Sequence, residues 1–216
     1  MVHAVIFDLD GTLLNTVNSM AEAGNIMLAH LGLPPQPAAS YRYFAGDGSR
    51  VLVQRALAAA NASPTQSIEQ AHQLYIASFA RTCTHQVAPY PGVLPLLNQL
   101  QRFGIQTAVL SNKPHQQTLD VVARFFPQGL FQTIRGQVEG VPLKPNPQAV
   151  YTILESLAAH PSHCLYVGDT GVDMQTGQNA GLATVGVEWG FRGRKELEQF
   201  HASHIIKEPR ELLKLL

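Results

Sequence analysis

The sequence predicts an α/β fold built on a mostly parallel sheet, with one all-helical insert. Three observations lead there. Short apolar runs rich in β-branched residues stop abruptly at polar clusters. Amphipathic stretches of helical length separate most of these runs. Residues 16–86 break the alternation, with helical periodicity and no convincing strand. Strands and helices alternating at this spacing form parallel sheets, because a crossover helix must return the chain to the same end of the sheet.

The first run, Ala4–Phe7, ends at Asp8 and reads as a strand buried on both faces. Helix-like runs follow near 17–30, 49–60 and 67–82. Gly32, Pro34, Pro35 and Pro37 punctuate this stretch, as do Gly46 and Gly48. The chain returns through Val87–Gly92, which contains Pro89 and Pro91. Downstream, helices are expected over 92–103, 114–125, 146–158 and 170–180. Strands are expected at Ile105–Leu110, leading into Ser111-Asn112-Lys113, and at Cys164–Val167, leading into Gly168-Asp169-Thr170. Ala183–Val187 is a fourth strand and His204–Ile206 a fainter fifth. The division that results is a core of residues 1–14 and 88–216 and a helical insert of 15–87.

Composition narrows the function. With 216 residues, 45% of them hydrophobic, the chain can build one sizeable core and a smaller unit. Fifteen basic residues balance fifteen acidic ones. No basic field exists to draw in nucleic acid or an anionic membrane, so neither is expected as a partner. No apolar run approaches the roughly 18 residues of a membrane span. The N-terminus lacks the basic-then-apolar pattern of a signal peptide. Cys83 and Cys164 are too few for a disulfide scaffold, so the expected setting is the reducing cytoplasm. A neutral chain is compatible with a monomer or a homodimer.

Only six aspartates occur, and four fall in two windows, Asp8/Asp10 and Asp169/Asp173. Each window follows an apolar strand. In open α/β sheets ligands bind beyond the carboxyl ends of the strands, so two distant segments should deliver carboxylates to one edge. Crowded carboxylates repel one another and need a cation or a shared proton to coexist. Hard oxygen donors at this density suit Mg²⁺, which keeps water and substrate oxygens among its ligands. Even with Mg²⁺ and Lys144 present, four carboxylates keep the site slightly negative, so a phosphate would enter only with the metal bound. The neighbours suit a phosphate. Gly11 and Thr12 offer backbone N–H groups and a hydroxyl, and Ser111 and Asn112 place a hydroxyl and an amide at a strand end. Lys144, opening KPNP, adds an ammonium.

These motifs in this order, DLDGT at 8–12, SNK at 111–113, Lys144 in KPNP and GDTGVD at 168–173, resemble the four motifs of the haloacid-dehalogenase-like (HAD) superfamily. The resemblance spans the whole chain. It implies a Rossmann-like core with an inserted helical cap, and the insert is similar to the cap of the subfamily that includes phosphoglycolate phosphatases and β-phosphoglucomutases. Within it, FAGDGSRVLVQRAL at 44–57 resembles the glycine-containing cap segment of bacterial phosphoglycolate phosphatases. The resemblance implies that Asp8 is the nucleophile that forms an aspartyl-phosphate, and Asp10 the general acid and then the base. A carboxyl acting as an acid needs a raised pKa, which neighbouring carboxylates would favour. Asp8, Asp10 through its carbonyl, and Asp169 would hold Mg²⁺, with Asp173 auxiliary. Ser111, Asn112 and Lys144 would bind the transferring phosphoryl group, and Gly11 and Thr12 would shape the turn. Asn15 stands where many relatives carry an acid, at the junction with the insert.

Within the family the residues discriminate. A dehalogenase typically lacks the second acid of the first motif, and Asp10 is present. A phosphonate hydrolase needs a cap lysine, and the first lysine of this chain is Lys113. The expected activity is therefore hydrolysis of a small phosphate ester, 2-phosphoglycolate first. The alternatives are a sugar, nucleotide or pyrophosphate substrate, a β-phosphoglucomutase-like transfer, and, in another class, a silent phosphate-binding protein. Of the cap cations Arg42, Arg50, Arg55 and Arg81, Arg50 is the candidate for the substrate carboxylate. The histidine pairs 160/163 and 201/204 lack the partners of a zinc site and are expected at the surface. Cys164 is expected in the core, and Trp189 packed against it.

Overall fold

The computed structural model describes residues 1–216. Strand β1 (Ala4–Phe7) leads through a tight turn to β2 (Leu14–Asn15) and into four helices. These are α1 (Val17–His30), α2 (Ala38–Phe44), α3 (Ser49–Ala59) and α4 (Ile68–Thr82). The chain returns through β3 (Ala88–Pro89) to α5 (Val93–Arg102), β4 (Gln106–Pro114), α6 (His115–Phe125), β5 (Thr133–Gln137) and α7 (Gln148–Ser156). It finishes with β6 (Cys164–Gly168), α8 (Gly171–Asn179), β7 (Ala183–Val187), α9 (Arg194–Gln199) and β8 (His204–Ile206). No helix is long and apolar enough to cross a membrane.

Six strands form one parallel sheet in the order β5-β4-β1-β6-β7-β8. Such a sheet is covered on both faces, which explains why β1 carries no polar residue. Its side chains alternate: Val5 and Phe7 enter one apolar cluster, and Ala4 and Ile6 enter a second against α7. The first cluster is the larger, because it continues through Leu9, Leu13 and Leu14 into the insert and takes in Met27, Tyr41, Leu52 and Tyr75. Sheet and insert are therefore joined by a common apolar seam.

The two connections to the insert lie side by side. β2 pairs antiparallel with β3, Leu14 opposite Pro89 and Asn15 opposite Ala88, and the Tyr90 N–H donates to the Leu13 carbonyl over 3.1 Å. The short β2–β3 pair and α9 have no counterpart in the sequence expectations, and three further elements depart from them. β5 is an added edge strand, half-buried throughout and interrupted by Arg135 and Gly136, so it shows no apolar run. α2 follows the proline cluster and buries only Tyr41. β4 runs past Leu110 to Pro114, with a register irregularity between those residues, so Ser111–Lys113 lie within the strand end.

Candidate active site

β1 sits between β4 and β6, and all three run parallel. Their C-terminal ends therefore bring Asp8, Ser111–Lys113 and Asp169 to one edge, where the connections out of β1 and β6 part to opposite sides. One carboxylate oxygen each of Asp8, Asp169 and Asp173 lies within 4.8 Å of the others, and all three residues are buried. Lys144, from the loop before α7, reaches into this group. Its Nζ lies 2.6 Å from Asp8 Oδ1 and 2.7 Å from Asp173 Oδ1.

Each aspartate has its own anchor. Asp169 accepts from the Thr12 hydroxyl (3.1 Å) and from the Phe191 N–H (2.7 Å). Asp173 closes a capping box at the start of α8, accepting from the Thr170 N–H (3.1 Å) and hydroxyl (2.7 Å). Gly11 has φ +93° and its α-carbon faces the Asp169 carboxylate, so a side chain there would be strained and would collide with Asp169. Asp8 is bound only through Oδ1, and no protein group donates to its Oδ2.

Burial pushes the Asp8 carboxyl well above its ordinary range; Lys144 opposes this, while Asp173 and Asp169 add to it. Burial and then Asp173 push Asp169 up to about 7. Burial alone would lower Lys144, but Asp173 and Asp8 outweigh it and raise its pKa. Three carboxylates facing one ammonium leave negative charge uncompensated. A hard divalent cation would fit this donor set and remove the imbalance.

The structure corrects several sequence expectations. Only three of the four carboxylates crowd together: Asp10 turns to Lys113, whose Nζ lies 3.0 and 3.3 Å from its two oxygens. The N–H groups of Gly11 and Thr12 bond the carbonyls of Leu14 and Leu9, and the Thr12 hydroxyl is given to Asp169. Their donors are spent on the turn and on Asp169 rather than left for a phosphate. The Asn112 side chain is likewise committed. It donates to the Gly46 (3.0 Å) and Lys144 (3.2 Å) carbonyls and accepts from the Lys144 N–H (2.9 Å). It sets Lys144 in place and clasps the insert. Ser111 accepts from the Lys113 N–H, which leaves its own proton free to donate. Arg50 points away from the site into an exposed ion pair with Glu69 at 2.7 Å.

Lys113 is the residue that sequence reasoning passed over. Its side chain is 1% exposed, and its ammonium lies 4.5 Å from the Phe79 ring centroid. A lysine inside a buried strand end was the available signal. Trp189 packs against the large apolar cluster and donates to the Thr12 carbonyl over 3.0 Å. Cys164 is buried in β6, and the four paired histidines are exposed, as expected. Between core and insert these groups enclose a cavity of about 50 Å³. Asp8, Asp10, Ser111, Lys113 and Lys144 form its core wall, and Ser49 and Tyr75 lie on the insert wall.

Residues 5–187 match the family model of haloacid dehalogenase-like hydrolases. Phosphoglycolate phosphatase of Pseudomonas putida is 32% identical over 97% of this chain and 78% of its own length. That of Yersinia pestis is 30% identical over 98% of this chain and 92% of its own. A crystal structure of a candidate phosphoglycolate phosphatase from Lactobacillus delbrueckii subsp. bulgaricus superposes with a TM-score of 0.93. It is 28% identical and covers 100% of this chain and 98% of its own. Aspartates at the ends of β1 and β6, a lysine between them and a helical insert after β1 are thus arranged on a fold shared with phosphatases: the chain belongs to the haloacid dehalogenase-like hydrolase family and is a phosphatase of that family.

Proposed function

We propose that this phosphatase is a Mg²⁺-dependent phosphomonoester hydrolase that works through an aspartyl-phosphate on Asp8, with 2-phosphoglycolate as substrate. In this reading residues 1–14 and 88–216 are the catalytic core and 15–87 the cap that covers it. One observation carries the chemistry: a buried carboxylate, Asp8, held on one oxygen by Lys144 at 2.6 Å and unbonded on the other, at the floor of a small cavity. An oxygen so placed attacks phosphorus while the P–O bond to the alcohol breaks. Asp10 must enter the cycle protonated: it gives that proton to the departing oxygen and then, as the carboxylate paired with Lys113, takes one from the water that hydrolyses the aspartyl-phosphate. Asp8 is regenerated and inorganic phosphate is released. Ser111 and Lys144 hold the phosphoryl oxygens, and Asn112 fixes Lys144.

Asp8 and Asp169, with the Asp10 carbonyl, would hold the metal; Asp173 would support it from its capping box. When bound, the ion supplies positive charge to the phosphoryl group in transfer. The substrate reading is supported by the P. putida and Y. pestis relatives. Phosphate release from a panel of esters, with Mg²⁺ and after chelation, tests it. 2-Phosphoglycolate should lead the panel, and chelation should abolish turnover. Activity that survives chelation would remove the metal, and a sugar phosphate at the head of the panel would remove the substrate.

A further inference from the structure

We propose that the cap holds the substrate's carboxylate with neutral donors: the Tyr75 hydroxyl, the Ser49 hydroxyl and the open first turn of α3. This rests on the reading of the core as a phosphatase for a carboxylate-bearing ester, and it names the group that selects that ester.

The cap wall of the cavity carries no charged side chain. Its arginines are engaged or exposed elsewhere: Arg50 pairs with Glu69, Arg55 with Asp47 at 2.7 Å, and Arg42 and Arg81 lie on the outer surface. Tyr75 lines the cavity and is 1% exposed, yet its hydroxyl makes no hydrogen bond within the protein. That hydroxyl is not sealed from solvent but opens on the cavity, so it is free to bond a ligand there. Tyr75 stacks on Phe79 with centroids 5.3 Å apart, and Phe79 lies against the Lys113 ammonium that holds Asp10. Tyr75 is therefore on the side of the departing alcohol, not of the phosphate.

His72, Tyr75 and Phe79, three and four residues apart, share one face of α4. His72 Nε2 lies 2.9 Å from the Ser49 hydroxyl; with the ring proton on Nε2 it would donate to Ser49 and leave the serine proton free for a ligand. The N-cap of α3 is Gly48, which has no side chain to satisfy the first-turn amides, and both Gly48 and Ser49 line the cavity. Free amides at the positive end of an eleven-residue helix and two hydroxyls make a carboxylate site without a cation.

The test compares kcat/KM for 2-phosphoglycolate with that for ethyl phosphate, which has the same length and no carboxylate, in the Mg²⁺-loaded wild type and three variants. Tyr75→Phe keeps the ring and should lower the ratio by about tenfold or more, chiefly through KM for 2-phosphoglycolate, as loss of a hydrogen bond to a charged group does. Ser49→Ala should lower it by about threefold to tenfold. Arg50→Ala should leave it at the wild-type value. Inhibition by free glycolate should rank the proteins in the same order. If the wild type prefers 2-phosphoglycolate and neither Tyr75→Phe nor Ser49→Ala, melting like wild type, shifts the ratio, the subsite is wrong and the substrate reading stands. A fall with Arg50→Ala alone overturns the subsite in favour of a cap cation. A wild type that cleaves ethyl phosphate equally well overturns the substrate reading and the subsite together.

Discussion

On the core side of the cavity Lys144 is 5% exposed and shared between two buried aspartates; on the cap side Arg50 is 55% exposed and paired with a surface glutamate. The same division holds for the anions. Asp8, Asp169 and Asp173 are buried among their partners, while Asp47 and Glu69 face outward. The core wall thus confines charge at low dielectric, where each ion pair governs the state of its neighbours. The cap wall meets it with apolar side chains and hydroxyls. Chemistry needs the first arrangement and selection among small esters needs only the second, so substitutions on the two walls should fail in different ways.

The largest expected difference lies at Asp8. Asp8→Asn removes the proposed nucleophile and preserves the volume, and turnover should fall by about 10⁴-fold or more while the protein still melts cooperatively. Single-turnover assays with radiolabelled ester check it, because the wild type should transiently carry label on the chain and the variant none. Near-normal rates would mean that the Asp8 carboxylate is a spectator.

Asp10→Asn sharpens the comparison within the core wall. Loss of a general acid costs about 10²–10⁴-fold, but the deficit should shrink for an ester whose leaving group needs no proton. Rates for p-nitrophenyl phosphate should therefore suffer less than rates for ethyl phosphate. An equal loss on both esters would assign Asp10 to binding instead.

Much of this wall was legible in the sequence because an aspartate at the end of a run such as AVIF has no apolar explanation. Ala4–Phe7 and Ala183–Val187 were legible for the related reason that a two-sided strand must be continuously apolar or nearly so, whereas His204–Ile206, at the far edge of the sheet, left only a faint trace. Thr133–Gln137 was not, because an edge strand is half solvated and TIRGQ has neither alternation nor a run. The partners of the polar side chains were not legible either. Whether Asn112 meets a phosphate or the Lys144 backbone depends on how the loop before α7 crosses β4, which no local pattern encodes. Arg50 failed as a prediction for a similar reason. Its place in the first turn of α3 fixes its position along the chain, but the burial of α4 decides which side of that turn faces inward.

Lys144→Met against Arg50→Ala compares the two walls in stability alone. The first strands Asp8 and Asp173 in the interior, and removing one partner of a buried ion pair costs about 3–5 kcal/mol. The second breaks an exposed pair and should leave the melting temperature unchanged. Equal shifts for the two variants would mean that the core wall is far better solvated than its burial indicates.

The smallest expected effect, a shift of melting temperature with pH, reads the uncompensated charge directly. Burial first, and the Asp173 charge second, raise Asp169 to about 7 in the metal-free protein, and Asp8 moves in the same direction. In the unfolded chain these carboxyls titrate at about 4. Between those values the folded state holds protons that the unfolded state lacks. The stability linked to them is complete below about pH 4 and lost as the pH rises through about 7. After chelation, the melting temperature should therefore fall between about pH 5.5 and about pH 8. On the proposed reading Mg²⁺ would bind the deprotonated form, so the rise in melting temperature that it produces should be larger at the higher pH. A metal-induced rise that shrinks as the pH increases would place the ion away from Asp8 and Asp169. The cap would then remain as described, but the core wall would need a different source of positive charge.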